Sequence, residues 1–193
     1  EAACGRPIED GEVLCLTALT FLHDIGKLAP GFQTKGWPEP RGVRPRGHLE
    51  CGWLWTRTLH TNSLAGAAVH LVRWPDIHVW IFALFAHHGR PVTEPGSGGT
   101  AGAFCKVPGY DWEAEEAMMG RALLDWFPDI ANAEPPPATP RLVHFFCGLL
   151  TLADWVGSDR RAFPFEADFR HDYWDTAQVR ADRRIREIGL SPD

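Results

Sequence analysis

Six side chains in this sequence have the chemistry of metal ligands and lie within or beside apolar stretches: His23, Asp24, His48, His87, His88 and Asp154. Imidazole nitrogen and carboxylate oxygen bind divalent transition ions such as Fe²⁺, Mn²⁺, Co²⁺ and Ni²⁺. Such groups are costly to bury unless an ion or hydrogen bonds compensate their polarity. Because a carboxylate can bridge two ions and an imidazole cannot, Asp24 is the natural bridging ligand. The set therefore predicts a centre of one or two ions.

Each of these signals also has an explanation without a metal. A single His-Asp dipeptide occurs by chance in many proteins. His87 and His88 precede Gly89 and could cap a helix C-terminus, where the helix dipole favours imidazolium. Asp154 could be satisfied by Ser158 or by a backbone amide. Four separated positions of ligand type, all in apolar surroundings, favour the metal centre.

The other histidines are interpreted as surface or hydrogen-bonded residues. They stand at positions 60, 70, 78, 144 and 171. His78 and His144 are the first exceptions to consider, because they also lie in apolar helical stretches.

The elements that must position the ligands are predicted to be helices. Apolar periodicity indicates helices over residues 11–29, 48–60, 63–72, 77–88, 112–126, 141–156 and 173–188. Asp76 is the expected N-cap of the helix that follows it. Loops are predicted at 34–47, which is the most basic segment, and at 95–102, with a proline-rich connector at 134–140. No strand pattern is evident, and the predicted class is all-α.

Composition limits the expected number of domains, the mode of nucleic-acid binding and the cellular location. The chain has 193 residues, 45% of them hydrophobic, and a formal net charge of −6. One domain over residues 1–193 is expected, without the bulk cationic field that drives nonspecific nucleic-acid binding. The five cysteines are widely spaced and form no CxxC pair, which is typical of a reducing cytosol. No apolar run is long enough to span a bilayer, so a soluble, cytoplasmic protein without a membrane partner is predicted.

The order of the motifs resembles a known family. The segments are FLHDIGK at 21–27, GFQ at 31–33, His48, AHHG at 86–89 and LADWVGSD at 152–159. Over roughly residues 11–165 the series resembles the HD nuclease domain of the CRISPR-associated type I helicase-nuclease. The Gly-Lys and Phe-Gln context and the Ala-Asp-Trp segment separate it from general HD phosphohydrolases. The last segment is similar to the subtype that a Cascade complex recruits.

The resemblance implies an HD-type helical bundle with its metal site in the core between helices. It also implies endo- or exonucleolytic cleavage of single-stranded DNA at a dinuclear transition-metal centre during type I interference. The implied partners are single-stranded DNA, a helicase domain in the full-length protein and a Cascade-type effector complex.

Ligand roles follow from the resemblance by position. One ion is expected on His23, Asp24 and Asp154, and the second on Asp24 with His48, His87 and His88. Lys27 and Ser158 are expected to neutralise or hydrogen-bond the phosphate and to join Asp24 as catalytic residues. A snorkelling lysine and an ordinary helix C-terminal turn are their alternative explanations.

One departure from the family pattern concerns the first ion. The family's ligand set normally includes a histidine on an upstream helix, and no histidine precedes His23 in this sequence. We therefore expect a fragment that lacks the upstream helix and the downstream helicase, with the second ion better held than the first.

Two alternative functions remain open from the sequence. The same metal centre could serve an HD phosphohydrolase that acts on nucleotides. The chain could also be a non-catalytic interaction module with an incomplete metal site, which binds a partner through its acidic face or the glycine-rich loop at 96–102.

Overall fold

The structure, a computed structural model, is helical. It describes residues 3, 5–39, 41–60, 62–91, 102–166, 170 and 172–190. The described α-helices are α1 (Asp10–Leu22), α2 (Pro30–Gln33), α3 (His48–Thr56), α4 (Ala68–Val72), α5 (Ile77–Leu84), α6 (Trp112–Trp126), α7 (Pro140–Gly157) and α8 (Tyr173–Glu187). Short 3₁₀ helices lie at Ile25–Leu28, Ser63–Gly66 and Pro128–Ala131. Within these ranges there is no strand beyond one isolated bridge, so the predicted all-α class is confirmed.

The chain divides into two compact units, Glu1–Cys147 and Gly148–Asp193. The first contains α1 to α6 and the start of α7, and the second contains the rest of α7 and α8. A single domain over residues 1–193 stays a prediction. None of the described helices is long and apolar enough to cross a membrane.

The core of the first unit is built around α1. This helix begins at a capping box in which Glu12 accepts a hydrogen bond from the backbone N–H of Glu9 (3.0 Å) and also pairs with Arg6. Cys15, Ala18, Leu19 and Leu22 form its buried stripe at helical spacing. The largest buried side chains of the unit include Trp80, Phe85, Leu123, Phe127 and Ile130.

Two glycines allow backbone segments to pack directly on each other. A Cβ atom on Gly26 would lie 1.9 Å from the His48 carbonyl oxygen, so the 3₁₀ helix after α1 rests on the first turn of α3. A Cβ atom on Gly120 would lie 1.9 Å from the carbonyl oxygen of Leu64, which sets α6 against the 3₁₀ helix at Ser63–Gly66. The first of these contacts also brings two ligand-bearing segments together.

Three predicted helices are wrong in their extent. The predicted helix 11–29 ends at Leu22, and 77–88 ends at Leu84. Apolar residues continue past both helix ends because the turns that follow these helices are also buried in the core. The predicted helix 48–60 ends at Thr56.

The predicted helix 63–72 is divided into a 3₁₀ helix and α4. Leu64 and Ala65 have positive φ values of 54° and 53°, which no regular right-handed helix accommodates. Asp76 stands at the N-cap position of α5 as predicted, but its φ of 54° is left-handed and its side chain makes no capping hydrogen bond.

The later helices agree with the sequence. The predictions 112–126, 141–156 and 173–188 correspond to α6, α7 and α8 within one residue at each end. Asp111 caps α6 by accepting a hydrogen bond from the Ala114 N–H (3.1 Å). The predicted connector 134–140 carries no regular element before Pro140, which begins α7. Most of the predicted loop 95–102 falls outside the described residues.

Candidate metal centre

The first pair of ligands lies in the His-Asp turn, residues 23–28, which follows α1. The His23 N–H bonds to the Thr20 carbonyl oxygen (3.2 Å) in a 3₁₀ pattern, and Asp24 has φ −101° and ψ 13°. His23 Nδ1 lies 2.7 Å from the same carbonyl oxygen. Because a carbonyl only accepts, Nδ1 carries the hydrogen and the Nε2 lone pair is the one available to a metal. The turn, rather than a continuous helix, sets the orientation of this pair.

The second pair lies in the His-His turn, residues 85–89, which follows α5. His87 is 1% exposed, and its Nδ1 donates to the Leu84 carbonyl oxygen (2.6 Å). The same argument assigns its Nε2 lone pair to metal binding. His88 is exposed, and Gly89 reverses the chain with a φ of +76°.

His48, at the first position of α3, lies close to residues of both turns. Its ring centroid lies 5.0 Å from that of His88 and 6.0 Å from that of His87. His48 Nε2 lies 3.5 Å from Asp24 Oδ1. This position follows from the packing of Gly26 on the His48 backbone.

The ligand atoms form two overlapping sets. One contains His48, His87 and His88, and the other contains His23, Asp24 and His87. Within each set the candidate ligand atoms all lie within 4.8 Å of one another. The structure thus brings together five of the six predicted metal ligands.

Two atoms of the cluster show that its residues fit a metal ion. Asp24 Oδ1 and His48 Nε2 are buried and make no hydrogen bond within the described part of the chain. Buried polar atoms are normally satisfied, and leaving them without a partner costs about 1–3 kcal/mol each. A cation between them would remove that cost, and nitrogen with carboxylate oxygen is a donor set that suits divalent transition ions.

The protonation states also suit metal binding. Burial opposes ionisation of Asp24, but the neighbouring His23 and Lys27 side chains outweigh it and hold the pKa of this carboxyl well below its usual range. Burial lowers the pKa of His48 to about 4, with Asp24 opposing the shift and Lys27 reinforcing it. At neutral pH the carboxylate is therefore charged and the His48 imidazole is neutral, as metal ligands must be.

Lys27 is already engaged at the centre. Its Nζ lies 2.5 Å from Asp24 Oδ2, while His23 Nε2 lies 3.2 Å from the same oxygen. The Lys27 side chain is 45% exposed, so the ammonium can also reach a group that arrives from solvent.

Asp154 and Ser158 lie in the second unit, whereas the clustered ligands lie in the first. Ser158 Oγ donates to Asp154 Oδ1 (3.4 Å), and the Ser158 N–H bonds to the Asp154 carbonyl oxygen (2.9 Å) at the end of α7. These bonds match the alternative explanation of Asp154 given above. Its role as a ligand, and the role of Ser158 at the phosphate, stay predictions.

The other histidines stay outside the two sets, among the residues that the structure describes. His60 Nδ1 accepts a hydrogen bond from the Asn62 N–H (3.1 Å), as the sequence interpretation expects. His78 and His144 are exposed rather than part of an apolar core. The suggestion that they are exceptions is therefore wrong, because each lies on the solvent face of its helix. Residue 171 lies outside the described residues.

Sequence reasoning missed the residues that hold the ligands in place. Gly26 permits the contact with α3, and a Cβ atom on Gly52 would lie 2.3 Å from the Phe85 ring at the start of the His-His turn. The carbonyl groups of Thr20 and Leu84 orient two imidazoles. The Gly26-Lys27 pair inside the FLHDIGK motif was the available signal for the first of these.

Comparisons with known proteins converge on one family. The family profile described as "Cas3, HD domain" matches residues 3–163. The chain is 30% identical over 194 aligned residues to the CRISPR-associated endonuclease/helicase Cas3 of Thermus thermophilus, with 94% of this chain and 20% of the relative covered. Crystal structures of T. fusca Cas3 and of its ATP complex align with TM-scores of 0.58 and 0.59 at 24% and 23% identity. Both alignments cover 97% of this chain and 21% of the T. fusca chain, so this chain spans about a fifth of the length of these relatives.

Proposed function

Because this chain belongs to the family of Cas3 HD domains, we propose that it hydrolyses phosphodiester bonds of single-stranded DNA with bound divalent transition-metal ions. The observation that carries the proposal is the orientation of Asp24. Its Oδ2 lies 3.2 Å from His23 Nε2 and its Oδ1 lies 3.5 Å from His48 Nε2, so the two oxygens of one carboxylate lie close to both ligand groups. This is the arrangement expected of a residue shared by two ions.

The two sets cannot both use His87 at once. Its Nδ1 hydrogen is committed to the Leu84 carbonyl oxygen, which leaves one lone pair. We assign this nitrogen to the second ion, where His48 and His88 complete a group of three imidazoles. His23 and Asp24 would hold the first ion, and Asp154 is proposed as its third ligand. The second ion would be held more tightly, because the ligand atoms of its three imidazoles all lie within 4.8 Å of one another.

The chain's own residues prepare the site for hydrolysis. Divalent transition ions supply Lewis-acid activation of a water and of the scissile phosphate when they are bound. Asp24 provides a full negative charge that would offset the ions, and the neutral imidazole of His48 adds none. Lys27, which pairs with Asp24 and is 45% exposed, would also contact a phosphate oxygen of the bound strand. Ser158 contributes a hydrogen bond to the phosphate.

We also propose the protein partners that bring DNA to this site. The relative from Thermus thermophilus is named an endonuclease/helicase, and this chain spans a fifth of its length. We place the domain beside a helicase domain in the full-length protein, which feeds it a single strand in the cytoplasm. A Cascade-type effector complex supplies the opened DNA during type I interference.

Nicking of circular single-stranded DNA tests the proposal. The purified chain, loaded in turn with Mn²⁺, Co²⁺, Ni²⁺ and Fe²⁺, is expected to linearise the circle, which requires an endonuclease. Asp24→Asn keeps the shape of the side chain but removes its charge, and it should lower cleavage by about 10³-fold or more, a loss near 4 kcal/mol of transition-state stabilisation. His144→Gln is the matched control, because this histidine is exposed and outside both sets.

Other outcomes separate the alternatives. Hydrolysis of nucleotides without cleavage of DNA would replace the nuclease with a nucleotide phosphohydrolase. Absence of bound metal and of either activity would favour the interaction module. Full activity in Asp24→Asn would end the shared-carboxylate mechanism.

A further inference from the structure

The most basic segment of the chain runs directly into a proposed metal ligand. Residues 34–47 carry Lys35, Arg41, Arg44 and Arg46 against Glu39 as the single acid, in a chain of net charge −6. The segment ends one residue before His48. Arg46 is paired with Glu50, whereas Lys35, Arg41 and Arg44 are exposed. Positive charge is therefore concentrated beside the site on an acidic protein.

Aromatic rings alternate with these cations. Lys35 Nζ lies 4.7 Å from the centroid of the Phe32 ring, and Phe32 meets the His48 ring edge-to-face at 5.7 Å. The Arg41 guanidinium carbon lies 4.6 Å from the centroid of Trp37, and Trp37 meets Tyr110 at 5.6 Å. Phe32 and Lys35 thus lie beside the proposed ligand His48, and Trp37, Arg41 and Tyr110 form a second group of contacts.

Backbone anchors hold this series in place. Arg41 Nη1 donates to the Pro108 carbonyl oxygen (2.9 Å), and the Tyr110 hydroxyl donates to the Leu28 carbonyl oxygen (2.7 Å). The Arg46 N–H donates to the Gly31 carbonyl oxygen (2.7 Å). The described residues of the loop are thus anchored on α2 and on the segment before α6, which itself contacts the His-Asp turn through Tyr110, and they differ from a solvated loop in that respect.

We propose that Phe32, Lys35, Trp37, Arg41 and Tyr110 form a stacking platform that binds single-stranded DNA on its way to the metal centre. Bases stack on the half-buried indole of Trp37, and the cations of Lys35 and Arg41 contact the phosphates. Aromatic surfaces interleaved with basic side chains are the usual means of binding a single strand without sequence preference. The inference rests on the proposed function, because it names how the same strand reaches that site. The platform also supplies a local group of cations for phosphate contacts in a chain whose net charge is negative.

Binding by the metal-free chain tests the platform without any cleavage. The probes are a short fluorescent oligothymidylate and an abasic strand of equal length. Trp37→Leu keeps an apolar side chain but removes the π-surface, and we expect about tenfold weaker binding of the thymidine strand with no change for the abasic strand. Trp37→Phe should recover most of the loss. Arg41→Gln should weaken both probes and reduce the slope of log affinity against log salt by about 0.7 for one lost phosphate contact.

Two controls match these changes elsewhere in the chain. Phe165→Leu removes an aromatic ring that is 90% exposed, and Arg121→Gln removes an exposed charge on α6; neither should alter the affinity for thymidine strands. Circular dichroism confirms that the variants fold. Equal weakening of both strands by Trp37→Leu, or no weakening, overturns the platform.

The platform and the nuclease can fail separately. Normal cleavage by the wild-type chain with unchanged binding in Trp37→Leu would remove the platform and leave the nuclease. Selective loss of thymidine-strand binding in Trp37→Leu supports the platform even if the wild-type chain cleaves no DNA, in which case the nuclease proposal falls.

Discussion

The His-Asp turn and the His-His turn each carry two adjacent candidate ligands just past the end of an apolar helix, but they hold them by different means. The first is fixed through its backbone, since Gly26 lies directly against α3 and both of its ligands are half-buried. The second is fixed through a side chain, since His87 is 1% exposed while its neighbour His88 is exposed. The first should therefore tolerate no added volume, and the second should tolerate change at one of its two histidines only.

The turns also differ in charge. The His-Asp turn holds an ionised carboxylate with Lys27 as its counterion, whereas the two ligands of the His-His turn are imidazoles. A metal ion held by both turns would take its charge compensation from the first and most of its nitrogen ligands from the second.

The largest effect is expected from added volume in the His-Asp turn. In Gly26→Ala the new Cβ would lie 1.9 Å from the His48 carbonyl oxygen, so the turn and α3 must separate. We expect a loss of about 3 kcal/mol in the free energy of unfolding, at the upper end of overpacking effects, together with loss of metal binding. Urea denaturation and metal titration measure both.

The matched control places the same methyl group in an open position. A Cβ atom on Gly148 in α7 would meet nothing within 4 Å, so Gly148→Ala should stabilise the chain by about 0.5–1 kcal/mol. Similar unfolding free energies in the two variants would show that the backbone contact at Gly26 does not fix the turn.

The next effect sharpens the contrast within the His-His turn. His87 is buried and its ring is held by the Leu84 carbonyl oxygen, whereas His88 is exposed. His87→Gln should weaken Mn²⁺ binding by about 100-fold or more, since removal of even an outer-shell partner costs about 10–100-fold, and His88→Gln should cost roughly ten times less. Calorimetric titration with Mn²⁺ gives the comparison. Equal losses at the two positions would contradict the unequal roles assigned from burial.

The smallest effect concerns the counterion of the His-Asp turn. Lys27→Met removes an ammonium that competes with metal for Asp24, and the ion pair is partly exposed, so its contribution is within about 1 kcal/mol. Mn²⁺ affinity should rise by up to about fivefold while DNA cleavage falls. Weaker metal binding in this variant would mean that Lys27 supports the metal site rather than competing with it.

The sequence predicted the helical class and the ligand types, because both depend on local patterns. The helices at α6, α7 and α8 follow from apolar or charged periodicity that ends at clear boundaries. The ends of α1 and α5 could not be predicted, since Ile25 and Phe85 continue the apolar pattern although the chain has left the helix. An apolar sequence pattern indicates burial, and a buried turn has the same apolar pattern as a buried helix.

The details of the site needed the fold. No local pattern shows that Gly26 faces the His48 carbonyl group, or that Thr20 and Leu84 select the imidazole tautomers. The basic loop at 34–47 was visible as charge alone. Its contact with Tyr110 joins segments far apart in sequence, and the contacts of Lys35 with Phe32 and of Arg41 with Trp37 depend on the conformation of the loop.

Electron paramagnetic resonance of the Mn²⁺-loaded chain shows whether two ions share Asp24. A shared carboxylate couples the two spins, so the wild-type chain at saturating Mn²⁺ should give an exchange-coupled spectrum. Asp24→Asn should give the hyperfine pattern of isolated Mn²⁺. An isolated-ion spectrum from the fully loaded wild-type chain, or coupling that survives in Asp24→Asn, would show that Asp24 is not shared by two ions.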